Sequence, residues 1–203
     1  MDQPINRLEQ MGGGSDRIAY TVLRPAPGTA EEFVAFWECL YSGFDEEFYE
    51  QNIGQPLTEE RIIKWFQWKN GMPLSPLKAE SIRPYSSSDE RIAADADDAT
   101  LREFLLRPGG VIWRVFWLHL QHPEKFPIYD RHVHRAMAFL LGWPNREISA
   151  GNPTKARLYL DKYRPFFRRF ATMPRRRVDR ALWAFSKFLA SDYGAMVASP
   201  SSS

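Results

Sequence analysis

Apolar residues recur along this chain at helical spacing, and they predict a mainly α fold. Phe33, Phe36, Trp37, Leu40 and Tyr41 share one face of a helix that opens at Thr29 or Ala30. A second helix opens at Thr58-Glu59-Glu60, carries Ile62, Ile63, Trp65 and Phe66, and stops at Asn70-Gly71 ahead of Pro73. Residues 83–90 read as a linker ending in a helix cap, and a short helix spans about 98–105. Residues 111–120 are apolar nearly all round, so that helix is expected at the centre of the fold. Helical spacing resumes just after Asp130 with Val133, Met137, Leu140 and Leu141, and Gly142 closes it. Tyr159, Tyr163, Phe166 and Phe170, then Val178, Leu182, Phe185 and Leu189, form the stripes of a final helical pair divided by Pro174. Residues 1–28 read as an irregular arm with at most a short strand at 18–23, and 196–203 as a frayed tail.

Composition bounds the class. The 203 residues, 44% apolar and 14% aromatic, suffice for one globular domain with a substantial core. Apolar runs are too short and too interrupted by charge for a membrane span, and residues 1–14 lack the layout of a secretion signal. Cys39 stands alone, which excludes an internal disulfide and a four-thiolate zinc or iron–sulfur site. A reducing, cytoplasmic setting is the default expectation. The net charge of +2 conceals an asymmetry: residues 31–60 hold nine acidic residues and no Lys or Arg, whereas residues 155–187 hold eleven basic residues against Asp161 and Asp179. Such halves suggest one polyanion-facing side; charged helix faces that are merely solvated are the plainer alternative.

Candidate chemistry is concentrated in two strings. Leu106-Arg107-Pro108-Gly109-Gly110 is a tight glycine turn between two helices, whose free backbone N–H groups, including that of Val111, suit a phosphate. Taken alone it is equally an ordinary helix–helix turn. Asp130 lies 20 residues after Gly110, in Phe126-Pro127-Ile128-Tyr129-Asp130-Arg131-His132-Val133-His134-Arg135. Taken alone it is a helix N-cap. Together, the hairpin, its offset, Pro127, Asp130, His132, Val133 and Arg135 resemble the catalytic segment of helix–hairpin–helix DNA glycosylases, the HhH-GPD superfamily. Leu141-Gly142-Trp143-Pro144 is similar to the adenine-glycosylase branch. The likeness is specific over about residues 105–144 and loose elsewhere.

The resemblance implies a two-lobed helical fold with a cleft between lobes: a middle lobe at about 57–143 containing the hairpin unit at about 98–122, and a second lobe from 29–56 plus 145–195. It implies double-stranded DNA as partner, a monomer, and Asp130 as the residue that activates water and stabilises an oxocarbenium-like transition state at C1′. Pro108, Gly109, Gly110 and Val111, with His132, would contact the DNA backbone, joined by Arg175 and Arg176 from the basic turn. Bifunctional members carry a lysine two residues after the last hairpin glycine; Ile112 stands there, so hydrolysis without strand cleavage is expected unless Lys69 or Lys125 supplies the amine. No cofactor is implied, at most a monovalent cation at the hairpin. The base pocket is the least resolved part, with Trp68, Lys69, Asn70 and Trp37 as candidates. For Trp37 and Trp68 a core position is the competing reading, and for Asn70 a helix C-cap. His119, His122, His132 and His134 show no spacing that would hold a metal. Candidate substrates are an oxidised or alkylated base, or a modified cytosine of the kind phages make. The rival from another class is a non-catalytic DNA-binding module; a structural helical domain without nucleic acid is a third alternative.

Overall fold

In the computed structural model the described residues are 28–43, 45–71 and 73–194, and they are helical with no strand among them. The arm at 1–27, with its expected strand, and the tail at 196–203 lie outside them.

The order is α1 (Ala30–Glu38), α2 (Glu46–Asn52), α3 (Glu59–Asn70), α4 (Pro76–Ile82), α5 (Asp98–Leu106), α6 (Val111–Gln121), α7 (Arg131–Leu140), α8 (Asn152–Leu158), α9 (Arg164–Phe167) and α10 (Arg175–Leu189). Starts follow local chemistry. Thr29 forms a capping box with Glu32, and Asp45, Thr58, Ser75 and Asp97 cap their helices with side-chain oxygens. Gly71 ends α3 in the left-handed conformation, where glycine escapes the Cβ clash. α1 stops at Glu38, short of the expected stripe, and leaves Leu40 exposed.

At the centre is α6, as its composition requires: Val111, Val115, Phe116, Trp117, Leu118 and Leu120 are all buried. The aromatic face of α3 meets it, with Phe66 against Phe116 (ring centroids 5.4 Å) and Trp65 against Phe116 (6.2 Å). Each such ring withdrawn from water contributes roughly 1.5–3 kcal/mol. A second layer forms where α10 packs on α1 and α7, through Trp37 on Phe185 (4.9 Å), Phe33 on Phe185 (5.3 Å) and Phe139 on Phe185 (5.4 Å).

Residues 83–90 are not a free linker. They fold into two 3₁₀ turns, with Tyr85 buried and stacked on Phe66 at 5.0 Å. α8 continues through a π turn (Tyr159–Tyr163) into α9. Pro165 has no N–H to return to Asp161, which accounts for the widened turn there. That bulge buries Tyr159 and Tyr163 against Tyr129, one residue before Asp130.

The acidic and basic halves face each other. Arg177 and Arg180 of α10 pair with Glu38 of α1, and Arg176 and Arg180 pair with Glu46 of α2. Three of the eleven basic residues and two of the nine acidic ones are thereby engaged in docking α10 to the N-terminal helices.

Candidate active site

Asp130 sits on a rigid approach. Phe126, Ile128 and Tyr129 are buried, and the Phe126 carbonyl accepts from Nδ1 of His119 at 2.8 Å. That fixes the tautomer of His119, whose Nε2 then accepts from the Tyr49 hydroxyl at 2.9 Å. Burial pushes His119 down to about 3, so it is a neutral structural strut. The Tyr129 hydroxyl is hydrogen-bonded to His134 at 2.8 Å.

At the start of α7 the Asp130 carboxylate is held from two sides. Oδ1 accepts from the backbone N–H groups of His132 (2.8 Å) and Val133 (3.2 Å). Oδ2 meets Nζ of Lys69 at 2.5 Å, and the two side chains are only 15% and 9% exposed. Burial acts to raise the carboxyl, but the Lys69 ammonium, His132 and the helix-start donors outweigh it and hold Asp130 below the ordinary carboxylate range. Asp130 is therefore both an N-cap and a charged, partly buried base at the end of a helix dipole.

Around the pair lie Tyr41, Trp68, Ile128, Arg176, Asp179 and Trp183, enclosing a cavity of about 10 Å³, room for one water. Trp68 and Trp183 also wall an adjoining open groove of about 420 Å³, lined further by Ser42, Gly43, Asp45, Gln67 and Gly71. Asp179 is a second buried carboxylate in the small cavity. It shares the Arg176 guanidinium with Glu46, and burial pushes its carboxyl up to about 6, with Asp130 and Glu46 adding to the rise and Arg176 and Lys69 opposing it. The two aspartates are thus shifted in opposite directions from the ordinary carboxylate range.

This makes the pH response specific. A carboxyl with a raised folded pKa contributes stability below its ordinary value, about 4, and loses it as pH climbs through about 6. Asp130, with a lowered pKa, contributes stability above the ordinary range and loses it as pH falls. Asp179→Asn should flatten the decline in stability between pH 4 and 7 in thermal melts; an unchanged profile would mean that Asp179 does not titrate there.

A tight turn with two glycines joins α5 to α6. Gly109 (φ 107°) and Gly110 (φ 86°) both lie where side chains are strained, although a Cβ at either would find space. Gly110→Ala should therefore cost about 1 kcal/mol through backbone strain alone, read as a fall in denaturation midpoint with unchanged slope. Pro108 and Gly109 are exposed, whereas Val111 as a whole residue is buried in the core. Inside the turn, Arg114 donates from Nε to the carbonyls of Arg107 (3.1 Å) and Pro108 (3.0 Å) and pairs with Glu90 at 2.6 Å. Those two carbonyls accept from the guanidinium, which clamps the turn from within.

Other expected residues are placed differently. Trp37 packs among Phe33, Phe36, Phe185 and Phe188 and lines neither cavity, so it is core. Asn70 closes its own turn: its amide donates to the Pro73 carbonyl at 3.3 Å and accepts from Lys78 at 2.6 Å. It too is absent from the cavity walls; it is the last residue of α3, and Gly71 is the C-cap. Arg176 turns inward to Glu46, Asp179 and Tyr41 and lies over Tyr49 and Trp68, which leaves its guanidinium engaged rather than offered to phosphate. Arg175 stays half-exposed, 3.5 Å from Glu124. The His132 ring is half-buried against Trp183 at 5.2 Å. Trp68 and Lys69 do line the cavity. Arg135 pairs with Glu147 at 2.8 Å, a structural tie. The four histidines serve separate partners, and no cluster of metal-ligating residues occurs among the described residues.

Asp179, Trp183 and Arg114 are the site residues that sequence reading passed over, and Tyr41, read on the stripe of the first helix, lines the cavity. Asp179 follows Val178 on the buried stripe of α10, three residues after Arg176, and that adjacency was the available signal. Among the described residues Arg157 on α8, Lys162 in the π turn, and Arg168 and Arg169 in the 3₁₀ turn after α9 are exposed with no acidic partner, a basic strip left over along this segment. No helix among the described residues is long and apolar enough to cross a membrane. Comparison with protein-family models, with curated proteins and with solved structures finds no match for the chain.

Proposed function

We propose that this protein is a helix–hairpin–helix DNA glycosylase that hydrolyses the bond between C1′ and a damaged or modified base. The observation that carries the reading is the partly buried Asp130 carboxylate at the start of α7, beside a cavity walled by Trp68 and Trp183. Ionised, it stabilises the positive charge that develops on the sugar as the base departs with its electron pair. A water aligned by the carboxylate attacks C1′ and yields its proton to Asp130. The groove beyond Trp68 and Trp183 exceeds the volume of one unmodified base and offers the flat walls that an extruded base requires. Hairpin N–H groups, and the basic strip at Arg157, Arg168 and Arg169, hold phosphates without reading sequence.

Tyr41, Arg176 and Trp183 come from the segments 29–56 and 145–195, whereas Trp68, Lys69 and Asp130 come from 57–143. A site assembled this way supports a two-lobed fold with its cleft between the lobes. Double-stranded DNA is the partner this reading requires, and a monomer suffices.

The test is incubation with duplexes carrying oxidised, alkylated and phage-type modified bases, followed by alkali. Cleavage at one modified position is the expected result. Affinity for DNA should also fall steeply between low and moderate salt. A panel left intact by protein that still binds DNA would favour a non-catalytic binding module, and binding insensitive to salt would remove the nucleic-acid reading altogether.

A further inference from the structure

Residues 152–170 run as one helical segment with two unlike faces. On one face Tyr159, Tyr163, Phe166 and Phe167 are buried. Tyr159 and Tyr163 pack there on Tyr129, with ring centroids 5.6 and 4.9 Å apart. Tyr129 precedes Asp130, so this face is turned toward the candidate site. Arg157 stands two residues before Tyr159, about 200° round the helix. Lys162, Arg168 and Arg169 are exposed as it is. Nearby cations are already paired, Arg164 with Asp98 at 2.7 Å and Arg102 with Asp161 at 3.1 Å. The four that keep no acidic partner therefore lie on the side of the segment away from Asp130.

We infer that this outer face is a second DNA-binding surface, which holds a duplex other than the one presented to Trp68 and Trp183, so that one chain bridges two segments. The inference rests on the DNA-binding part of the proposed function and not on base release. A helix is about 10 Å across, and the layer of Tyr129, Tyr159 and Tyr163 lies beneath this one. A duplex docked at the Trp68–Trp183 opening is separated from the strip by both.

Spacing and composition favour DNA as the occupant. From Arg157 to Arg169 the segment rises roughly 18 Å, which spans about five phosphates of one strand. No large apolar side chain of residues 152–170 is exposed. The face thus has nothing to sink into a lipid interface and no anchor for a protein partner. Held on one segment by the strip, the chain meets neighbouring segments with its site at a raised effective concentration. It can then change position without leaving DNA.

The test uses the full chain and a short unmodified duplex, so the identity of the excised base is immaterial. At saturation in low salt, sedimentation should give one chain with two duplexes. A duplex fixed to beads should then retain a second, fluorescent one through the protein. The combined variant Arg157→Gln, Arg168→Gln and Arg169→Gln alters only exposed side chains and should fold normally. It should bind one duplex and lose affinity for the second by about tenfold or more, and the salt slope of that step should shrink by about three. One duplex per chain, two chains with two duplexes, or a second duplex held equally by the variant would overturn the inference and leave the glycosylase reading standing. No binding of DNA at any salt would remove both. Phosphatidylserine vesicles captured through the same three arginines, with no second duplex bound, would give the face to a membrane surface instead.

Discussion

Arg114→Met is expected to destabilise the protein by about 3–5 kcal/mol, the cost of breaking a buried ion pair by removing one partner. Arg114 is 3% exposed and lies 4.9 Å over Phe104. Methionine would fill most of the volume, so the loss comes from polar groups rather than a cavity. Glu90 would keep a carboxylate only 12% exposed with its guanidinium gone. The carbonyls of Arg107 and Pro108 would lose their donors at a turn already bent by two positive-φ glycines. Because natural domains hold only about 5–15 kcal/mol in reserve, this is a large share. The thermal midpoint should fall by roughly 10 °C, as expected for a chain of this size, and DNA affinity should drop with it as the hairpin loosens. A shift under about 2 °C would show that the clamp is not what fixes the turn.

The second large effect is on activity. Asp130→Asn should reduce base release by about a hundredfold or more, the range for deleting one preorganised electrostatic group at a transition state. Asparagine caps helices as well as aspartate does, so the contacts from His132 and Val133 survive and α7 still starts correctly. What vanishes is the charge. Lys69 is then left partly buried without its counterion, for a stability cost of about 1–3 kcal/mol. DNA binding should persist or tighten, because a negative charge leaves the site. Activity within threefold of the unaltered protein would rule Asp130 out as the catalytic group.

The long helices were legible because their patterns are long. α3 and α7 carry repeated apolar positions behind side-chain N-caps, α6 is apolar nearly all round, and each forms where expected. α2 and α4, seven residues each, present one apolar turn apiece and gave no period to read. The segment 83–90 looked like a linker from its serines, yet Tyr85 finds a ring to stack on and Glu90 an arginine to bind. Tertiary partners of that kind leave no trace in local sequence.

The site was legible in the same uneven way. Asp130 followed from a motif. Lys69 follows Ile62, Trp65 and Phe66 at positions i, i+3, i+4 and i+7, so its place on a buried face was written in the spacing, whereas its pairing with Asp130 across 61 residues was not. Arg176 and Trp37 were misplaced for one reason: in a chain whose acidic and basic halves bind each other, neither charge nor aromaticity marks a surface. The basic residues that stay exposed without an acidic partner lie along α8 and the turns that flank α9.

The most direct measurement is mass spectrometry of free bases released from a pooled set of damaged and phage-type modified duplexes, with the unaltered protein and Asp130→Asn run side by side. One base should appear with the unaltered protein and stay near background with the variant. Release of no base from any duplex, or equal release by both proteins, would contradict the account.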